Sequence, residues 1–277
     1  MSSRIPPLLE PYLALPPEAS LILLTSVLGA SSNWLVLRFL HTALINPDAS
    51  SERQGENEAK VVLVSFMRDI AFWKENAKRL GLDLDKFASK KRFAFVDGLT
   101  RLFLPRVPGG RVVESVLSGP DLADVSLEIQ RSIQSLKEAV GEEKIVLIID
   151  QLDLMLAAGG DKIRAVNIGE MLIGLQEEVH STILSLSADY PLVSASQSPL
   201  EKDHAALVLN IAHGADFTMS LRLLDTGTAR DISGVLRITV GANIERTVQD
   251  IRKRIEEKEV LYFVGGDGGV KVFERGQ

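Results

Sequence analysis

The connection that follows the first apolar run of the chain is where phosphate-binding chemistry is expected. A phosphate loop needs glycines for close backbone approach, a lysine for the β- and γ-phosphates and a hydroxyl for magnesium. When residues 26–33 are laid on the pattern GxxxxGK[ST], serines occupy both fixed glycine positions and the lysine position, and an asparagine replaces the hydroxyl. The residues that mark this loop are Ser26, Gly29, Ser31, Ser32 and Asn33. Because the loop has no lysine to neutralise a triphosphate, the sequence predicts a lapsed nucleotide site with no nucleotide bound.

A carboxylate at the end of another apolar run could hold magnesium. Residues 145–150 read IVLIID, and an apolar strand that ends in aspartate supplies a magnesium ligand in many ATPases. Aspartate is also common at strand ends as a turn or capping residue. Because the loop at 26–33 is degenerate, we interpret Asp150 as vestigial and structural. An active ATPase or recombination mediator in which Asp150 holds magnesium remains the alternative.

Other catalytic chemistry finds little support in the sequence. The four histidines show no HExxH or HxH spacing, and the absence of cysteine excludes disulfides, thiolate zinc sites and a cysteine nucleophile. The glycine-rich run at 265–269 lies between two short apolar runs, which predicts a hairpin turn rather than a phosphate loop. We therefore expect no metal site, no cofactor and no catalysis by this chain alone.

Length and composition narrow the classes further. The 277 residues are 45% hydrophobic and 25% charged, which is too apolar for a disordered chain and suits one large domain or two small ones. The net charge of -6 argues against a DNA-coating protein, although a local basic loop could still hold RNA. The apolar runs are too short and broken for a signal peptide or a membrane span. We expect a cytoplasmic location, with the nucleus kept open as a second one.

The elements that must position these residues alternate along the chain. Continuous apolar runs predict strands at 21–25, 61–66, 93–96, 145–150 and 182–186. Helical spacing predicts helices at 34–44, 70–80, 122–140, 163–179 and 200–213. Beyond residue 217 the period changes to alternation, which predicts antiparallel strands with one charged helix at 244–255 between them.

This order predicts an α/β fold in which a mostly parallel sheet is flanked by helices and ends in an antiparallel C-terminal part. With no internal repeat and no compositional break, residues 1–277 form a single domain. Residues 1–17 are an N-terminal extension, and the polar stretch 48–60 is expected to be a mobile surface loop.

One stretch near the C-terminal end carries a family resemblance. Residues 226–238 read TGTARDISGVLRI. This run, T-G-x-x-R-D-x-x-G-x-L-R-I, resembles the most recognisable stretch of the Elongator complex protein 6 family. The layout around it agrees, with a lapsed phosphate loop near the start, an apolar strand in the middle and a closing pair of strands. The resemblance covers most of the chain in layout, while its specific motif is confined to this run.

The resemblance implies a RecA-like ATPase fold without intact nucleotide motifs. It also implies that the chain joins the fourth and fifth Elongator subunits, which have similar folds, in a hexameric ring with two copies of each. The ring works with the remaining Elongator subunits, which modify the wobble uridine of certain tRNAs to 5-carboxymethyl-type derivatives. The resemblance further implies that the ring binds tRNA and releases it with ATP, and that the modification chemistry lies in another subunit. A pure scaffold without nucleic-acid contact is a third hypothesis.

In RecA-like rings the loops after the fourth and fifth strands face the central channel, and here they are about 151–166 and 188–204. Their basic residues, Lys162, Arg164 and Lys202, are the candidates for tRNA phosphate contacts, with solvated surface charges as the alternative. Arg230 could reach a neighbouring subunit or pair with Asp231 in a turn. Arg106, in a proline- and glycine-rich loop, is a second candidate for contact with RNA or a neighbour.

Overall fold

The computed structural model describes residues 5–45, 59–100, 102, 115–117, 119–137, 144–194, 198–225, 227, 229–241 and 255–274. These residues form one ten-stranded sheet with helices on both faces. Its strands are β1 (Ser20–Ser26), β2 (Lys60–Ser65), β3 (Phe93–Asp97), β4 (Ser115–Val116), β5 (Ile145–Asp150), β6 (Ser181–Ser187), β7 (Phe217–Arg222), β8 (Gly234–Val240), β9 (Lys258–Val264) and β10 (Val270–Phe273). The strand order across the sheet is β10-β9-β8-β7-β1-β6-β5-β2-β3-β4.

The seven strands from β4 to β7 in this order all run parallel to one another. Strand β7, which was predicted to be antiparallel, pairs in parallel with β1 and is antiparallel only to β8. Strands β2 and β5 are buried at every position, as expected for parallel strands that are covered on both faces. The predicted continuous apolar runs therefore form the centre of a parallel sheet. The α/β prediction is confirmed. Strands β8, β9 and β10 continue the sheet with antiparallel pairing, as the alternating pattern predicted.

Helices cover the sheet in two layers. They are α1 (Glu10–Leu13), α2 (Asn33–Leu44), α3 (Ile70–Arg79), α4 (Leu84–Ser89), α5 (Leu122–Leu136), α6 (Leu154–Gly159), α7 (Ala165–Gln176), α8 (Tyr190–Ser194) and α9 (Pro199–Gly214). Helices α2 and α3 pack on one face against side chains such as Ile22 and Leu24, whereas α5, α7 and α9 pack on the other face, where Leu23 points. The alternation of neighbouring β1 side chains between the two layers explains why the centre of the strand, residues 21–24, is continuously apolar.

The segment predicted as an N-terminal extension packs against the domain. A single 3-10 turn, Pro7–Leu9, leads into α1, and Leu9 and Leu13 are completely buried. The Tyr12 hydroxyl donates to the backbone carbonyl of Glu256 over 2.9 Å. The extension therefore fastens the start of the chain to the segment before β9.

The boundaries of several predicted elements differ from the structure. Helix α5 ends at Leu136 rather than at residue 140, because Lys137 already has extended backbone angles. The sequence pattern did not predict the short helices α4, α6 and α8, since five or six residues are too few to show a helical period. The predicted helix at 244–255 and the predicted mobile loop at 48–60 lie almost entirely outside the described residues. Within the described ranges, no helix has both the length and the apolar character to cross a bilayer.

Candidate functional site

The loops after β1, β5, β6 and β7 meet at one edge of the sheet, because these strands are parallel neighbours. This edge, here called the carboxyl edge, is where open α/β sheets bind ligands. The predicted loop at 26–33 lies there, between β1 and α2, as the sequence indicated. Its geometry and that of Asp150 decide whether a nucleotide could bind.

The loop after β1 is closed by a tight turn. The Ala30 amide donates to the Val27 carbonyl over 2.9 Å, and Gly29 adopts a φ of +90°, a conformation that suits glycine. Leu28 stands at the corner of the turn with 87% of its surface exposed. A phosphate loop instead wraps its backbone amides around the ligand. The turn presents an apolar side chain in the region where those amides would converge.

The backbone amide at the corner of this turn already donates a hydrogen bond to a carboxylate. The Asp189 carboxylate accepts from the Leu28 backbone amide over 2.9 Å. The Ser31 hydroxyl accepts from the Asn33 amide over 3.2 Å, and the hydroxyl of Ser32 is buried. A negative side chain at this position repels phosphate rather than attracting it. This loop, marked by Ser26, Gly29, Ser31, Ser32 and Asn33, thus does not fit a nucleoside triphosphate.

Asp150 ends β5 and is completely buried. The Ser65 hydroxyl donates to Asp150 Oδ2 over 2.8 Å, and the Ser185 hydroxyl donates to Asp150 Oδ1 over 2.9 Å. Burial raises the pKa of the Asp150 carboxyl, although the two seryl hydrogen bonds oppose that rise. Both carboxylate oxygens are thus held by protein hydroxyls at a site that water does not reach. This arrangement fits a structural carboxyl and does not fit a magnesium ligand.

The basic candidates lie on the other side of the carboxyl edge. Lys162 ends a 3-10 turn after α6, Lys202 lies in the first turn of α9, and both are exposed. Arg164 Nε donates to Asp203 Oδ2 over 2.5 Å, an ion pair that joins the start of α7 to α9. The two loops share a cavity of about 240 Å³. The structure therefore brings the two predicted loops together, with Arg164 already paired.

The inter-subunit candidates differ in what the structure shows of them. Arg230 is exposed in the connection between β7 and β8, on the carboxyl edge. Among the residues that the structure describes, no ion pair joins Arg230 to Asp231, which removes the predicted turn salt bridge. Arg106 lies outside the described residues.

Comparison with known proteins identifies the family. A family model described as Elongation complex protein 6 matches residues 55–261, well over half of the chain. The chain belongs to the Elongator complex protein 6 family. An Elongator complex protein 6 homolog from Schizosaccharomyces pombe is 27% identical over 202 residues, which are 72% of this chain and 73% of that protein. The predicted family resemblance is confirmed.

The fold comparison agrees with the family. A KaiC-like protein from the hyperthermophilic archaeon Pyrococcus horikoshii OT3 matches with a TM-score of 0.57 and 19% identity, over 98% of this chain and 97% of that chain. At this identity the likeness concerns the fold, and it confirms the predicted RecA-like architecture.

The residues that carried the resemblance to the Elongator complex protein 6 family divide into structural and unexplained ones. Gly227 adopts a φ of +95°, and a Cβ on Gly234 would lie 2.5 Å from the Arg222 carbonyl oxygen. Leu236 is completely buried in β8. Backbone conformation and packing account for these positions. They do not account for Arg230 and Asp231, which are exposed, and Arg230 therefore stays a candidate for an inter-subunit role.

Sequence reasoning missed the apolar character of the carboxyl edge. Leu28, Tyr190 and Leu223 are exposed by 87%, 79% and 47%, and each follows a different strand, β1, β6 or β7, at this edge. A Cβ on Gly29 would lie 3.5 Å from the Leu223 side chain, and Tyr190 directly follows the Asp189 that binds Leu28, so the three residues are neighbours. The signal was the pair Val27-Leu28 in the lapsed loop, which is too apolar for phosphate binding.

Proposed function

We propose that this chain is a non-catalytic RecA-like subunit of the Elongator complex. In this proposal it forms a hexameric ring with the fourth and fifth Elongator subunits, two copies of each, and the ring joins the remaining Elongator subunits. The ring binds tRNA and supports the 5-carboxymethyl-type modification of the wobble uridine. Membership in the Elongator complex protein 6 family supports the place in the complex.

The observation that carries the non-catalytic role is the occupied turn after β1. An ATPase needs amides that are free to bind phosphate and a lysine to balance its charge. Here the Leu28 amide binds the Asp189 carboxylate, and no lysine lies between residues 26 and 33. We therefore propose that this chain hydrolyses no ATP, and that any hydrolysis belongs to the assembled ring. We place the ring in the cytoplasm, with the nucleus as a second location.

The apolar carboxyl edge supports assembly with a neighbour. Isolated exposed leucines are common, but Leu28, Tyr190 and Leu223 follow three neighbouring strands, β1, β6 and β7, at one edge of the sheet. In this proposal they face the neighbouring subunit of the ring. Aromatic and apolar residues at the centre of an interface supply most of its binding energy. The lapsed phosphate site, which is now apolar, would thus contact a neighbouring subunit instead of taking part in catalysis.

Two exposed lysines support the tRNA contact. Lys162 and Lys202 lie on loops that converge at the carboxyl edge, and phosphate contacts from lysine add affinity without reading sequence. The net charge of -6 means that the neighbours must supply much of the positive charge of the channel. The tRNA site is therefore proposed for the ring rather than for this chain alone.

The ring is tested by co-expression with the fourth and fifth subunits followed by native mass measurement. We expect one assembly with two copies of each subunit. A trimer with one copy of each, or a ring that excludes this chain, would contradict the proposed assembly. Titration of the isolated chain with ATP tests the lapsed site, because micromolar binding would instead favour the active ATPase.

The tRNA contact is tested separately on the assembled ring. Replacement of Lys162 and Lys202 by alanine is expected to lower tRNA affinity by about tenfold and to reduce its salt dependence. Replacement of Lys78 and Lys86 by alanine is the matched control, because both are exposed on α3 and α4, away from these loops. Equal tRNA affinity of both double variants would favour the pure scaffold.

A further inference from the structure

A second cavity lies on the face of the sheet that α2 and α3 cover, and three residues of the lapsed loop, Gly29, Ser31 and Asn33, form part of its wall. It measures about 330 Å³ and opens between α2, α3 and the hairpin of β9 and β10. Its walls are mostly apolar and aromatic, and they include Trp34, Phe72 and Tyr262. Cavities of this size and character, with a few polar groups, are typical sites for small organic ligands.

A buried cation lines this cavity. Arg38 is 1% exposed, and its Nη2 donates to the Gly268 carbonyl over 3.1 Å. Among the residues that the structure describes, its Nε has no hydrogen-bond partner, and no carboxylate forms an ion pair with the guanidinium. Burial lowers the pKa of the Arg38 guanidinium to about 10, which still leaves it charged at neutral pH. A buried charge without a counter-ion is costly, and a bound anion would remove that cost.

A second unpartnered donor lies one turn away on the same helix. Trp34 and Arg38 are four residues apart in α2, so their side chains share one face of the helix. The Trp34 Nε1 is buried and has no hydrogen-bond partner among the described residues. The Trp34 and Tyr262 rings lie 5.2 Å apart between centroids and form an aromatic wall. Native proteins seldom leave two buried donors unpaired at one cavity.

We propose that this cavity binds a small organic anion, namely a planar apolar ring that carries one phosphate or carboxylate group. The anionic group pairs with the Arg38 guanidinium, and the ring packs against the aromatic wall. This role goes beyond subunit assembly and requires neither the ring nor tRNA. It places a ligand site on a chain whose nucleotide loop has lapsed.

The test uses the full chain and two simple probes, phenyl phosphate and phenylacetate. Binding is followed by quenching of tryptophan fluorescence, since one of the two tryptophans of the chain lines the cavity. We expect saturable binding of at least one probe below about 1 mM, a rise in Tm with probe concentration, and at least tenfold weaker binding of phenol. The probe that binds more tightly shows whether the site prefers a phosphate or a carboxylate group.

Two variants make the result specific. Arg38→Met is expected to keep the fold, because replacing an uncompensated buried charge by an apolar side chain is often neutral or stabilising, and to weaken probe binding at least tenfold. Asn76→Phe keeps Arg38, fills the cavity and is expected to abolish binding. Arg131→Met, at an exposed ion pair on α5, is the matched control and should bind as the unmodified chain does. No saturable binding of either probe below about 10 mM, or equal binding by Arg38→Met, would overturn the proposal.

Discussion

Ser65 and Asp150 end neighbouring parallel strands, and the Ser65 hydroxyl donates to Asp150 Oδ2 over 2.8 Å. The same hydroxyl accepts from the Arg68 amide over 3.0 Å, so the carboxyl helps to order the turn after β2. On the other side, the Ser185 hydroxyl accepts from the Gln151 amide over 3.1 Å. Asp150 thus links three adjacent strands, and this linkage explains why an aspartate can persist where magnesium binding does not fit.

Asp150 can be tested by removing its charge. We expect Asp150→Asn to be as stable as the unmodified chain at pH 7 or more stable, because the amide keeps a hydrogen bond to each serine without a buried charge. Asp150→Ala should cost about 2–4 kcal/mol, since two buried hydroxyls lose their partner. Thermal unfolding measures both. A large loss of stability in Asp150→Asn would contradict the structural role.

The raised pKa of Asp150 also predicts how the stability difference between the unmodified chain and Asp150→Asn depends on pH. The folded chain holds this proton to higher pH than the unfolded chain does, so protonation contributes stability at low pH that is lost as pH rises through the folded pKa. Asp150→Asn has no carboxyl at this position and therefore lacks this pH-dependent contribution to stability. Its Tm advantage should therefore be largest at neutral pH and shrink as pH falls through the raised pKa. A pH-independent difference would show that the carboxyl does not titrate in this way.

If the apolar carboxyl edge contacts a neighbouring subunit, a substitution there should impair ring assembly without lowering the stability of the isolated chain. Leu28→Asp should leave the Tm of the chain nearly unchanged, because Leu28 is 87% exposed, yet weaken assembly with the fourth and fifth subunits at least tenfold. Leu127→Asp, at a leucine of α5 that is 44% exposed, is the control. Native mass measurement at a series of concentrations compares them. Equal assembly of the two variants would argue against the contact.

The sequence predicted the α/β architecture because its strongest signals are local. The runs at 61–66 and 145–150 are apolar at nearly every position, because burial on both faces disfavours polar side chains unless they are hydrogen-bonded, as Ser65 and Asp150 are. The degeneracy of the phosphate loop was also visible, since it depends on the identity of residues at fixed spacing. The charged helix predicted at 244–255 and the candidate Arg106 remain predictions, because they lie outside the described residues.

Features that depend on contacts between distant residues could not be predicted. Leu28 and Asp189 are 161 positions apart, and only the pairing of β1 with β6 brings them together. Likewise, Asp153 and His204 are 51 positions apart and form a buried pair at 3.2 Å. The buried charge of Arg38 was hidden because a lone arginine in an apolar helix resembles the polar edge of that helix. Long-range topology, which sequence period does not encode, decides each of these cases.

Gly234 explains part of the family motif through close packing. A Cβ at this position would lie 2.5 Å from the Arg222 carbonyl oxygen and 2.7 Å from the Tyr262 hydroxyl. Gly234→Ala must therefore displace backbone where β8 begins, and we expect it to cost about 1–3 kcal/mol. Gly174→Ala is the control, because a Cβ there meets nothing within 4 Å and helix α7 should gain about 0.5–1 kcal/mol. Chemical denaturation measures both, and equal stability of the two variants would contradict the packing argument.

The ion pair between Arg164 and Asp203 predicts a gain of tRNA binding. Asp203→Asn releases Arg164, whose side chain is 60% exposed, and raises the local charge by one unit beside Lys202. If Arg164 faces tRNA in the ring, affinity should rise about two- to fivefold, and its salt dependence should become steeper because one more phosphate is neutralised. We expect a loss of stability of no more than about 1 kcal/mol, because Arg164 is largely exposed although the Asp203 side chain is only 14% exposed.

The matched control for this gain is Asp85→Asn, which releases Lys74 from an exposed ion pair on α3 and α4. It changes the net charge of the chain equally but lies away from the loops that hold Arg164 and Lys202. Filter binding of the assembled ring across a salt series compares the two variants. A similar rise in both would indicate that tRNA senses only the total charge, and no rise in Asp203→Asn would remove Arg164 from the tRNA surface. A rise confined to Asp203→Asn would place the start of α7 against the tRNA backbone.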